Sequence, residues 1–185
     1  IQELKNKKAL KLGILVAILQ TAIPYALLFS GSHFTSGVNT SALLLSEIIF
    51  TLIITPFFGE KTSLHKTLSG LIILVGAFMI LFKGDTSINI GDLLIILSTF
   101  SLPFGNYFGK KALHCLSGEN LLIIRYLIGG LFLLLMSLIF EDANLFLPAI
   151  TEYWPYIAIN GILLLGITNA IWYKGLKLLE ISKAI

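Results

Sequence analysis

Residues Leu121–Phe140 read LLIIRYLIGGLFLLLMSLIF, twenty residues with one charge, Arg125, and no alternation of polar with apolar side chains. About 20 such residues are what a helix needs to cross a hydrocarbon core about 30 Å thick. A membrane strand needs about ten and alternates. Five further apolar runs flank this one: Leu12–Phe29, Val38–Phe58, Thr67–Phe82, Leu93–Phe108 and Trp154–Tyr173. The six runs are 16 to 21 residues long. The connections Ser30–Gly37, Gly59–Lys66, Lys83–Asp92, Gly109–Asn120 and Glu141–Tyr153 carry the Gly, Ser, Thr, Asn and Asp of turns. None is long enough for a separate soluble domain.

Composition points the same way. Of 185 residues 56% are hydrophobic and only 12% charged; soluble domains carry about 25% charged residues. Mean hydropathy is +0.92. The expected fold class is therefore all-α, a polytopic bundle of six transmembrane helices. Basic residues are scattered in short loops, which excludes a nucleic-acid footprint. One cysteine, Cys115, leaves no internal disulfide, and His33, His65 and His114 fall in three different loops, so no metal or cofactor is expected.

Lys and Arg set the direction. Lys5, Lys7, Lys8 and Lys11 precede the first run, Lys61 and Lys66 follow the second, and Lys110 and Lys111 follow the fourth. Arg125 opens the fifth, and Lys174, Lys177 and Lys183 follow the sixth; of the 13 basic residues only Lys83 falls on the other side. Asp85, Asp92, Glu141, Asp142 and Glu152 occupy the opposite loops. Both ends of the chain are thus expected in the cytoplasm, in a multi-pass protein of the plasma (inner) membrane. Tyr153, Trp154 and Tyr156 are expected at the outer end of the sixth run, and Trp172 and Tyr173 at its inner end. Gly105-x-x-x-Gly109, Gly166-x-x-x-Ala170, Gly70 and Gly76 are candidate close helix crossings. The chain starts at Ile1 and stops in what reads as a helix connection, so a piece of a longer protein is expected.

Residues 12–31 and 156–175 echo each other at an offset of 144: Ile18/Ile162, Leu19/Leu163, Ile23/Ile167, Ala26/Ala170 and Gly31/Gly175, with Phe29/Tyr173 an aromatic pair. By the charge rule the two runs cross in opposite directions. Oppositely oriented similar segments are the mark of inverted repeats with an odd number of helices per unit.

The stretch ALLLSEIIFTLIITPFFGE, Ala42–Glu60, resembles the fourth helix of the drug/metabolite transporter superfamily, EamA type, with its terminal Gly-Glu. Gly70–Gly76 resembles the Gly-rich helix that follows, Gly91-Asp92 the opening of the second repeat, Arg125-Tyr126 an Arg-aromatic helix start, and Trp172–Leu178 the end of the eighth helix. The resemblance covers almost the whole chain. It implies two inverted five-helix repeats around a central cavity. Residues 1–83 would then be the C-terminal part of the first repeat (three spans) and 84–185 the N-terminal part of the second. In the family a Pro often follows the mid-helix Glu; here Ile48 stands there, so the resemblance carries no kink over to this point. It also implies a transporter of a small metabolite, an exporter working by alternating access.

Glu47 is the sharpest candidate. An ionisable side chain in mid-membrane costs on the order of 2.5 to 3.5 kcal/mol on insertion scales, so something must offset it. A carboxylate facing a cavity can hold a cationic part of a substrate or carry a proton. Gln20, Thr21, Pro24 and Tyr25 in the first run, Ser101, Pro103 and Asn106 in the fourth, and Thr168 and Asn169 in the sixth are polar patches at similar depth. Glu47, Gln20, Tyr25, Asn106, Asn169 and Trp172 form the candidate substrate- or proton-binding set. Interhelical hydrogen bonding is the competing account of each, and headgroup anchoring that of Trp172 and Tyr173. Arg125 is expected to snorkel to the headgroups. The expected partners are the lipid bilayer and a small-molecule substrate, with protons and a second copy of the chain as further candidates. An enzyme is not expected, because HExxH, GxSxG and paired intramembrane carboxylates are absent. A non-transporting scaffold or channel-like subunit is the alternative reading.

Overall fold

The computed structural model describes residues 3, 6–60, 63–81 and 89–184. The Lys5, Lys61, Lys83, Asp85 and Ile185 assignments, and the junction between the two half-repeats, lie outside the described residues. The described residues of the six apolar runs lie within six long helices: α1 (Lys7–Ser32), α2 (Gly37–Phe58), α3 (Leu64–Leu81), α4 (Ile90–Ala112), α5 (Gly118–Phe140) and α6 (143–178). A short α7 (Ile181–Ala184) follows.

Polar residues just outside the apolar runs set where the helices start. The Asn6 side chain accepts the Lys8 and Ala9 amides, Ser36 that of Asn39, and Ser117 that of Asn120. Asn89 and Asp92 cap each other's amides reciprocally at the head of α4, with contacts of 2.9 and 3.1 Å. Gly59, at φ +86°, ends α2 in the left-handed conformation that its missing Cβ allows. One connection needs correcting. Most of Glu141–Tyr153 is helical, because Asp142 caps the Asn144 amide and α6 begins at Ala143. Tyr153, Trp154 and Tyr156 therefore lie exposed inside a long helix.

Contacts fix how the helices run. Gln20 bonds Asn106 while Gly31 abuts Gly91, so α1 and α4 are antiparallel. Gly13 meets Ile124 and Thr21 meets Gly129, so α1 and α5 are parallel. Ser46 shares a hydrogen bond with Thr99, and Phe58 stacks on Tyr107, so α2 and α4 are parallel. Tyr126 reaches Leu165 while Gly118 faces Tyr173, so α5 and α6 are antiparallel. Each relation is the one expected if successive long helices reverse direction. The lysine-bearing connections also gather at one end of the bundle. There Lys66 pairs with Glu180 at 2.9 Å, Lys110 lies 3.9 Å from Glu60, the Ile181 amide donates to Glu60, and Glu3 accepts from Ser117 and Asn120. His33 and Glu141 line a cleft at the opposite end.

α1, α2, α5 and the Pro148–Leu178 part of α6 are each long and apolar enough to cross a membrane, while the apolar stretch of α3, Leu64–Ala77, is shorter. α4 is long but more polar, and it lies at the centre. Asp92, Ser98, Thr99, Ser101 and Asn106 are all buried on it, sheltered by α1, α2 and α6. Large apolar side chains on α3, α5 and α6 point outward. Protein covers polar groups and leaves apolar ones bare, the pattern of a chain whose solvent is lipid. Of the small-residue crossings, Gly105 is pressed against Gln20 and Gly70 against Leu52. Gly76 and Gly166 face no neighbouring helix among the described residues.

Candidate functional site

α1 and α2 are irregular where they pass the centre. In α1 the Ile23 amide bonds the Ile18 carbonyl five residues back, making a π-turn over Ile18–Ala22. Pro24 follows directly. A proline lacks the amide that would bond the carbonyl four residues earlier, and its ring crowds that carbonyl. The carbonyl is that of Gln20, and Arg125 Nη2 donates to it at 3.3 Å. In α2 the α-helix breaks at Leu45, between Leu44 and Ser46, and the Ile48 amide bonds the Leu45 carbonyl only three residues back. The backbone thus tightens beside Glu47 without a proline.

These irregularities surround a cavity of about 320 Å³ lined by Gln20, Glu47, Leu102, Asn106, Arg125, Thr168, Asn169 and Trp172. Five of the six candidate residues, Gln20, Glu47, Asn106, Asn169 and Trp172, share it. Tyr25 does not: it sits beyond the π-turn and stacks on Phe29.

A hydrogen-bonded chain crosses the site. Arg125 Nη1 donates to Tyr173 Oη at 3.4 Å, Tyr173 Oη–H to Gln20 Oε1 at 2.8 Å, and Gln20 Nε2 to Asn106 Oδ1 at 2.6 Å. Asn106 and Glu47 line the same cavity. Every step from Arg125 to Gln20 and on to Asn106 donates in the same sense, so one polarised chain runs from the buried cation into the cavity that the half-buried Glu47 carboxylate also lines. Isolated, either charge would be severely destabilised in low dielectric, and fully hydrogen-bonded networks offset that cost. Arg125 also donates to Thr21 Oγ1 at 2.9 Å and Asn169 Oδ1 at 3.0 Å.

Two assignments from sequence are corrected here. Arg125 is 6% exposed and does not snorkel: it lies seven residues inside α5, and its partners are side chains and a carbonyl. Tyr173 is 1% exposed and bonds Gln20, so it is no belt anchor. Glu60 finds Lys110 and the Ile181 amide. Sequence reasoning missed Arg125 and Tyr173 as site members; the readable signal was an arginine well inside an apolar run.

The profile of the EamA-like transporter family matches residues 1–82 and 89–185. The chain belongs to the EamA-like transporter family. It is also similar to the uncharacterized transporter YoaV of Bacillus subtilis (strain 168), 27% identical over 189 residues that cover 97% of this chain and 63% of YoaV. The chain thus spans less than two thirds of that relative's length. No solved structure matches significantly. Family and apolar helices together make this a multi-pass membrane chain of a transporter family, in contact with a lipid bilayer.

Proposed function

We propose that this chain carries the central site of an alternating-access exporter for a small polar metabolite, with Glu47 as the substrate- or proton-binding carboxylate. The single observation behind the reading is the cavity in which five helices place Glu47, Gln20, Asn106, Arg125, Asn169 and Trp172 together at mid-bundle. An acid and a base facing one small cavity suit a polar solute, and Trp172 supplies a flat apolar wall. On this reading the lysine-rich end is cytoplasmic, both chain ends face that side of the plasma membrane, and the chain comprises parts of two inverted repeats. Gln20, Asn106 and Asn169 orient the solute by hydrogen bonding.

The test is flux through the full-length parent protein in liposomes against a metabolite panel, with and without a pH gradient. Glu47→Gln keeps the shape and removes the charge. We expect flux to fall at least tenfold and its pH dependence to flatten. Unchanged flux with an unchanged pH profile would remove Glu47 from the mechanism.

A further inference from the structure

Arg125-Tyr126 is a sequence motif whose second residue does not line the cavity. Neighbours in a helix project about 100° apart. On α5, which packs between α1 and α6, Arg125 reaches both helices and Tyr126 reaches α6 alone. Arg125 donates to the Gln20 carbonyl and Thr21 Oγ1, inside the π-turn of α1. Tyr126 Oη donates to the Leu165 carbonyl at 3.0 Å, inside a second π-helical segment, Asn160–Ile167 of α6. There the Thr168 amide bonds the Leu163 carbonyl, again five residues back.

The two segments correspond. At the offset of 144 that relates the two runs in sequence, Ile18–Ala22 falls on residues 162–166, within Asn160–Ile167. The same irregularity recurs at the same register in two helices of opposite direction, and adjacent residues of one helix touch both. The contact also closes on itself: Asn169 Nδ2 donates to the same Leu165 carbonyl at 3.1 Å, while Asn169 Oδ1 accepts from Arg125. Pro24 leaves the Gln20 carbonyl without its usual amide and lipid cannot supply another, while side-chain donors from α5 reach the irregular backbone of both helices.

We propose that Arg125 and Tyr126 form a tie that holds the π-turns of α1 and α6 in fixed relation, with Tyr126 a positioning residue that acts on the cavity through Leu165 and Asn169. Its use in transport rests on the reading above; the tie itself does not.

Amide hydrogen exchange of the full chain in lipid nanodiscs tests it without any substrate. Tyr126→Phe removes one hydroxyl. Exchange is expected to quicken in 160–169, which it touches, and also in 18–23, which it does not, by about threefold or more, the low end for coupled neighbours. Arg125→Lys is expected to give the reciprocal result, quickening 160–167. Tyr156→Phe, on the exposed face of α6, should change neither segment. Acceleration confined to 160–169 in Tyr126→Phe, or absent from both segments, overturns the tie. Should Arg125→Lys fail to fold, Thr21→Val removes one of the same bonds from the α1 side and must still quicken 160–167. Exchange coupling with no liposome flux would leave the tie standing and remove the transport reading; flux without coupling would do the reverse.

Discussion

α1 and α6 share a sequence echo, a π-helical segment and a place beside the cavity, yet their surroundings are opposite. Around its π-turn α1 is buried: Gln20 and Thr21 are each 3% exposed, and α4 and α5 close over them. The matching part of α6 is bare, with Ile162, Leu163, Leu164 and Ile167 at least 50% exposed. One irregular backbone is therefore held by protein on several sides and the other mainly through Tyr126 and Asn169. The polar atoms follow the protein. On α1 the π-turn carries Gln20 and Thr21, which find partners; at the same register α6 carries Leu164 and Leu165, which need none. Side-chain polarity here tracks what covers the helix, not the helix's own geometry.

The largest break in this comparison is expected from Arg125→Met. It removes the group that serves Gln20, Thr21, Asn169 and Tyr173 at once and leaves Glu47 without its opposing charge. Breaking a buried charge arrangement by deleting one partner costs on the order of 3 to 5 kcal/mol. Thermal unfolding in detergent should fall accordingly. A smaller fall, below about 1 kcal/mol, would mean that α1 is held by packing alone, and would bring the two helices closer than their surroundings suggest.

Steric substitution separates the helices next. Gly105 of α4 is pressed against Gln20, whereas a Cβ added at Gly161 of α6 would meet open space. Gly105→Leu is expected to cost about 1 to 3 kcal/mol by forcing α4 off α1. Gly161→Ala is expected to be neutral or to stabilise by up to about 1 kcal/mol through helix propensity. Equal effects at both sites, measured by the same unfolding assay, would mean that α6 is as tightly packed as α1.

Most of this architecture can be read from the sequence, and the reason is physical. Six apolar runs, and lysines collecting on alternate connections, follow from the bilayer alone, which acts on every residue independently of its partners. Glu47, Gln20, Asn106, Asn169 and Trp172 could be named because polar groups in apolar runs are rare. Arg125 and Tyr173 were misplaced because their roles depend on distant partners, Thr21 and Gln20, that no local pattern encodes. The headgroup rule used for them is correct for side chains that face lipid, and these two are covered by protein. The helices start before their apolar runs for a related cause. Asn6, Ser36, Asn89 and Ser117 lie outside the apolar runs yet accept the first amides of their helices. The early start of α6 at Ala143 was hidden by Pro148 and by polar residues that read as a loop.

Thr55 offers a finer test on the protein-covered side. It is fully buried, and its Oγ1 has no hydrogen-bond partner among the described residues; Thr51, one turn earlier on α2, is the same. Leaving a buried hydroxyl unmatched costs about 1 to 3 kcal/mol, and an isosteric apolar group does not incur that cost. Thr55→Val should therefore leave stability unchanged or raise it by about 1 kcal/mol. A clear loss would mean that the hydroxyl is bound in the membrane, and that the polar face of Glu47, Thr51 and Thr55, spaced four residues apart, is in use along its length.

The smallest effect concerns the feet of the two helices. Before α1, Glu3 accepts the Ser117 amide and Asn120 Nδ2; after α6, Glu180 accepts Lys66 and Lys183. Both carboxyls are held below their ordinary value, Glu3 first by the Ser117 amide and Glu180 first by the Lys66 ammonium. A carboxyl whose folded pKa is depressed adds stability above its unfolded pKa, and that stability is lost as pH falls through the folded value. Both ties should therefore persist at neutral pH and loosen only below the usual carboxylate range. Salt should then tell them apart. The Glu180 tie joins full charges at a partly exposed site, and 1 M salt cuts the screening length to about 3 Å. The Glu3 tie uses neutral donors and depends far less on charge attraction. Amide exchange at Ile181–Ala184 should therefore quicken in high salt while that at Ser117–Asn120 stays constant. Equal salt response at both feet would show that α1 and α6 are anchored by the same kind of contact, and that their difference is confined to the membrane's interior.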